Sequence, residues 1–573
     1  VKILSRLKMI DVNTFTRCSS LETVQIPKTI ECIKKGAFAH CKQMKNIDIP
    51  FNVKKIGECA FLDCRSLSSI KIPTFISKID RRVFFGCSSL VEVAIPMRIE
   101  IIKEFSFACC NNLKKVIIPE SITEIESTAF DKCKSLKEIV IPFTALMNES
   151  CKLPEKVKVT LSESNFTEKF GSDLSNQETI LIPPYITKIP DCAFSKFAFL
   201  KEIELHEGIE EIGVNAFSEC CSLDSITVPS QVKEIKDGTF NGCSSLNRAI
   251  LSNSLMAIGI QAFMNCHFLT QINLPRIQKI ESECFSHCVS LESIIIPDSV
   301  RIICSNAFYK CKKLNAIKIP DSVRTIEEKA FANCLSLIEI VIPKSVKQIG
   351  QFAFENCKQI KTVKFVGFIE ILEKGIFAGC TSLNCINFNC LKIREKAFDH
   401  CSSLTKVVLP DVISSISSYC FNECKLLESI NVPMKAVLID DFAFNKCSSL
   451  KSISIPENVR KIGNSCFFNC SELVDCQLCS TGQLESIGNS AFCGCSSLLQ
   501  IVIPVRVKAI NCLTFKNCSK LNNILMANSV TVIKESAFYN CCSLTEIKIP
   551  QSVIRIESLA FARCQNLKKI TYS

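Results

Sequence analysis

The stretch Leu291–Cys311, LESIIIPDSVRIICSNAFYKC, decides the fold, because nearly every residue type in it recurs at the same phase along the chain. Leu291, Ile294 and Ile296 alternate with other residues up to Pro297, and β-branched alternation reads as a short strand. Pro297 lacks a ladder donor and fixes φ, so it ends that strand and turns the chain. A polar pair, Asp298 and Ser299, leads to Val300, Ile303, Ala307, Phe308 and Cys311. The run from Ile303 to the next Leu is too short for a full helix, so extended or turn-like backbone is expected, closing in one tight helical turn around Phe308.

Working outward, Phe308 has counterparts from Phe15 to Phe561, 23 anchors nearly all spaced by 23 residues. Five residues before each stands Ile, replaced only by Leu372; three after stands Cys, replaced only by Phe197; six after stands Leu, replaced only by Met44 and Ile360. One such unit cannot cover its own Ile, Phe and Leu side chains. Stacked units bury them as continuous rows behind a parallel sheet, one strand per repeat.

This L-x-x-I-x-I-P-x-S-V-x-x-I-x-x-x-A-F-x-x-C pattern closely resembles the BspA-like, Treponema-type leucine-rich repeats over nearly the whole chain. The resemblance implies an α/β repeat fold, a leucine-rich-repeat solenoid with one parallel β-sheet face and repeats of about 23 residues. It departs from the common leucine-rich repeat in having no Asn row after the strand; Ser299, Ser322 and Ser345 stand in the corresponding place.

The period breaks once. Phe130 and Phe194 are 64 residues apart, and the interval holds Pro154, Pro183, Pro184 and Pro190. Ile180, Ile182, Ile186 and Ile189 recover the phase, which divides the chain into an array over 1–142, an irregular insertion or junction over 143–179, and an array over 180–573. Within the irregular part, Val157, Val159 and Leu161 suit an isolated strand, Phe170 a substitute anchor, and 165–177 is polar and turn-rich. Native proteolysis is expected to cut there first. Shorter slips at Phe285, Phe398 and Phe492 should be absorbed in loops.

With 47% apolar and 22% charged residues the chain is neither disordered nor short of core material. No apolar run reaches the roughly 18 residues of a membrane helix. The charge of +12 comes from 68 basic and 56 acidic residues spread along the array, without the concentrated basic patch that nucleic acid requires. Val1–Ile10 reads as part of a repeat, with no signal peptide, so the compartment is open between cytoplasm and cell surface or secretion.

Of 39 cysteines, 22 occupy the one repeated position, where Cys packs as a small hydrophobe. In-register side chains point in parallel, which disfavours a disulfide ladder. Cys466, Cys470, Cys476, Cys479, Cys493 and Cys495 form the densest group, but Cys476 replaces a strand Ile and Cys479 the strand-end Pro, so core packing accounts for the C-x-x-C pair better than zinc does. Asn148 and Asn165 begin glycosylation sequons in the irregular segment.

His40, His287 and His400 share one phase on widely separated rungs, while His206 and His267 lack a nearby nucleophile. No P-loop, nucleophile elbow, HExxH or dinucleotide fingerprint is present, and the glycines Gly36, Gly213 and Gly463 belong to repeat turns. No catalytic residue, cofactor or metal is expected, and no small-molecule substrate. What remains is the outward column between the two strand Ile positions. Ile295, Lys318, Val341 and Lys364 stand there on consecutive rungs, alternating apolar with basic, and are the candidate protein-binding residues. By resemblance the function is surface adhesion to host proteins or other cells; an intracellular scaffold using the same face is the alternative.

Overall fold

The computed structural model describes residues 1–3, 6–142, 145, 150–154, 157–161, 178–182, 184 and 186–572. They form two compact units, Val1–Ser195 with Ile203–Ala216, and Lys196–Glu202 with Phe217–Ser573. Each unit is a coil of stacked parallel strands.

The alternating segment forms a strand, as read. Ser293–Ile295 pairs in parallel with Ala316–Lys318, placing Ile294 opposite Ile317 and Ile295 opposite Lys318. Ile294 and Ile296 point into the core while Ile295 is 77% exposed, as a pleat with one buried face requires.

Two expectations are corrected. Each repeat contributes two strand segments rather than one: Ile302–Ile303 pairs with Thr325–Ile326, which pairs with Gln348–Ile349, all parallel. The phase-locked Ile therefore sits on a second ladder, and the coil has two parallel faces where one was expected. Its segments are two residues long, too short for alternation to reveal them.

The α/β label and the helical turn around Phe are also not upheld: among the described residues, helical backbone is confined to Ala145. The cause is left-handed backbone. Asn306 and Lys310 take φ of 56° and 59°, and these reversals aim alternate amides along the coil. The N–H groups of Asn306, Phe308 and Lys310 donate to the carbonyls of Glu328, Ala330 and Ala332 in the next repeat, at 2.9, 2.8 and 2.9 Å. Those of Ala307, Tyr309 and Cys311 bond within the turn, to Cys304, Asn306 and Phe308. A helix would keep all of them to itself. Each non-glycine left-handed residue costs about 1–2 kcal/mol, offset by a partner for an amide that would otherwise be orphaned.

Behind the ladders run the rows. Phe308 is fully buried, its ring 5.6 Å from that of Phe285 and 5.2 Å from that of Phe331, with planes within 10° and 7°. Stacking of this kind links Phe15 to Phe130 in the first unit. In the second it runs through all three register slips, with centroids 5.7 Å apart at Phe263–Phe285, 5.9 Å at Phe377–Phe398 and 5.2 Å at Phe467–Phe492, so loops absorb the slips. The row Cys does more than fill space. Cys311 Sγ donates to the Phe285 carbonyl one repeat back at 3.2 Å, taking the lone pair left after the Cys288 N–H has bonded. The same bond recurs from Cys41 to Cys564. All 39 cysteines are free thiols.

The Val157 segment is not isolated. Lys158–Leu161 pairs in register with Glu138–Ile141, and Cys151 bridges Ile125, so spacings of 20 and 26 residues extend both ladders into the irregular segment. Phe170, Asn148, Asn165 and the polar run 165–177 lie outside the described residues.

Candidate protein-binding face

Four strands of the second unit build the candidate face: Ser293–Ile295, Ala316–Lys318, Glu339–Ile342 and Thr362–Phe365. The pleat buries Ile294, Ile340 and Val363 and turns the residues between outward. Ile295 stands in register with Lys318, and Val341, 45% exposed, in register with Lys364. Lys318 and Val341 together line a groove of about 1010 Å³, which joins the two pairs. All four predicted residues are thus outward and on adjacent rungs.

The groove also gathers residues that a one-column reading missed. Its lining also includes Pro320, Pro343 and Val366 with Arg301, Arg324, Asp298, Asp321 and Glu339. Arg301, Arg324 and Lys347 occupy one position on three consecutive repeats, the residue after the buried Val. Each folds back on its own turn: Arg301 Nη1 donates to the Asp298 carbonyl at 3.3 Å, Arg324 Nη1 to that of Asp321 at 2.9 Å, and Lys347 Nζ to that of Lys344 at 3.2 Å. The sequence signal was there, as Arg-Arg-Lys at a spacing of 23.

The Ser column behaves unevenly. Ser299 Oγ donates to the Ile277 carbonyl of the preceding repeat at 2.7 Å, whereas the hydroxyls of Ser322 and Ser345 are buried without a partner. The interstrand hydroxyl bond is therefore not general.

Other candidates fall apart in space or in chemistry. His40, His287 and His400 take φ of 60°, 62° and 59°, each at the outer turn of its own rung. His400 Nδ1 lies 2.7 Å from Asp399 and Nε2 3.6 Å from Glu423, and His40 pairs with Asp63 at 3.3 Å; burial holds His287 below its ordinary range. Cys476 is buried in the strand Asp475–Leu478, in register with Ile453. Among the described residues no three His, Cys, Asp or Glu side chains converge to hold a metal. Burial pushes most of the row thiols up, Cys288 and Cys470 to about 12, which keeps them protonated at neutral pH, whereas Cys564 in the last repeat is lowered to about 7 by its hydrogen bond with Cys541. No helix among the described residues is long and apolar enough to cross a membrane.

The family model described as "BspA type Leucine rich repeat region (6 copies)" matches residues 1–148, 167–288, 278–401, 387–498 and 485–573. No curated protein matches the chain. Among solved structures, a leucine-rich repeat protein from Bacteroides ovatus is 25% identical, over 71% of this chain and 91% of its own, with a TM-score of 0.42. A leucine rich cell surface protein from Faecalibacterium prausnitzii is 26% identical, over 70% and 88%, with a TM-score of 0.32. The pneumococcal vaccine antigen PcpA is 19% identical, over 70% and 90%, with a TM-score of 0.34.

Proposed function

The chain belongs to the BspA-type leucine-rich-repeat family, and from that premise we propose that it binds protein partners through the sheet face of its second unit, at Ile295, Lys318, Val341 and Lys364. The observation that carries this reading is Ile295, 77% exposed at the end of a register-paired strand with Lys318 beside it and Val341 two rungs on. A β-branched apolar residue so exposed gains nothing from the fold, and desolvation by a partner would supply the missing burial. The lysines alternate with the apolar anchors and steer the encounter.

Family membership supports a non-catalytic, protein-interaction role, and we assign the finer role of surface adhesion to host proteins or other cells. Labelling of intact cells with a membrane-impermeant reagent tests the location. For the face, Ile295→Asp with Val341→Asp should abolish capture by a panel of immobilised extracellular host proteins while leaving the circular dichroism spectrum unchanged. Undiminished capture by the folded double variant would remove this stretch as the site.

A further inference from the structure

We infer that the groove beside this face binds an acidic, extended segment of the partner protein, its carboxylates held by Arg301, Arg324 and Lys347; the inference rests on the reading of the face as a protein-binding surface.

The column itself argues for an absent anion. Neighbouring rungs stand about 4.8 Å apart, and like charges directly opposed across a ladder destabilise it. Elsewhere at this phase the chain avoids the problem: Glu31 and Lys54, one repeat apart in the first unit, pair at 3.1 Å. In the second unit the position carries Arg301, Arg324 and Lys347 in succession, none with an ion-pair partner among the described residues; each reaches only a backbone carbonyl of its own turn. A local rule broken on three consecutive rungs without compensation inside the fold marks a functional surface.

The groove lining itself is balanced in charge, Arg301, Lys318 and Arg324 against Asp298, Asp321 and Glu339, so it is the unpaired column of Arg301, Arg324 and Lys347, and not a net excess, that calls for an anion. Asp298 and Asp321 do not neutralise the arginines directly, because the guanidinium groups bond their carbonyls instead. A guanidinium presents paired N–H donors that match a carboxylate in bidentate fashion. Of the lining residues, Pro320 and Pro343 carry no N–H and the Val366 N–H already donates to the Ile342 carbonyl at 2.9 Å, which suits an extended chain held by its side chains. Three cations one rung apart would clamp carboxylates on alternate residues of a strand, since those recur at about 6.6–6.8 Å and long basic side chains span the difference.

The test uses the full chain and a fluorescein-labelled decaglutamate peptide at low ionic strength. Wild type is expected to bind it, with affinity falling as salt rises. Arg301→Glu with Arg324→Glu should weaken binding at least tenfold, while the charge-matched control Lys28→Glu with Lys42→Glu in the first unit changes it less than twofold. Equal binding by wild type and the arginine variant, or no wild-type binding at about 1 mM peptide, would overturn the inference. Tighter binding of a sulfated oligosaccharide at the same arginines would overturn the assignment to a protein segment. Both variants are exposed-residue changes, and circular dichroism checks their folding. If Ile295→Asp with Val341→Asp abolishes host-protein capture and the arginine variant leaves it intact, the face stands and this inference falls.

Discussion

Truncating one ring of the phenylalanine stack should open the coil locally rather than everywhere. Phe331 is fully buried between Phe308 at 5.2 Å and Phe354 at 5.5 Å. Phe331→Ala loses the burial of one ring and leaves a cavity, a cost of about 3–5 kcal/mol. Phe331→Leu keeps an apolar side chain but forfeits both ring contacts, worth about 0.5–1.5 kcal/mol each, so it should cost about 1–3 kcal/mol. In a repeat array each rung touches only its neighbours, and the damage should spread little further. Hydrogen exchange followed by mass spectrometry reads this directly: peptides covering 303–360 should exchange faster by the factor those energies imply, and peptides covering 490–545 should be unchanged. Uniform acceleration along the chain, or a cost for Phe331→Ala below about 1 kcal/mol, would refute the picture of a coil held rung by rung.

Stability should fall steeply above about pH 9. The buried row thiols, Cys288 and Cys470 among them, are raised to about 12 in the folded state; below the unfolded value they are neutral in both states and cost nothing, and above it only the unfolded chain ionises, so each takes up to about 1.4 kcal/mol per pH unit from the native state. A melting temperature flat from pH 9 to 11 would contradict this. Lys132, exposed at φ 56°, should become more stable by up to about 1 kcal/mol as Lys132→Gly in denaturant titration, whereas Gly494→Ala, whose added carbon would meet Asn469 Oδ1 at 2.0 Å with φ at +78°, should destabilise; the opposite pair of signs would show that left-handed backbone is not what these turns require. Elemental analysis should find less than about 0.1 zinc per chain, and a zinc lost on Cys476→Ser with Cys479→Ser would reverse the core assignment of that pair.

Much of this architecture was legible because one phase governs it. The inward rows, the strand ending at Pro297 and the outward placement of Ile295, Lys318, Val341 and Lys364 all follow from the period. Four features were hidden for different reasons. The second ladder pairs only two residues per rung, and a pair such as Thr325–Ile326 has no periodicity to read. The left-handed turns did leave a signal in Asn306 and Gly36, types that tolerate positive φ, but Phe352, Tyr419 and Lys329 at the same phase obscured it. Attention to one outward column concealed Arg301 and Arg324, which are separated from it in sequence by the Pro turn and reunited with it only by the groove, and with them Lys347 at the same phase. The ladder across 138–161 was hidden by its spacing of 20 where 23 is the rule.

The thiol-to-carbonyl bonds give the molecule a hysteresis of its own. Folded, the buried row sulfurs are occupied by the carbonyl one repeat back and shielded from oxidants. Once a rung opens, its thiol regains an ordinary acidity and meets its equally liberated neighbour about one rung away, near enough to join after a small backbone shift. A disulfide made there would tie two sulfurs whose native places are side by side and parallel, and the rung could not close over it. Opening is then a round trip under reducing conditions and a one-way passage in oxygen, so the chain's working lifetime outside a reducing milieu is set by how rarely its rungs breathe rather than by how favourable their closure is.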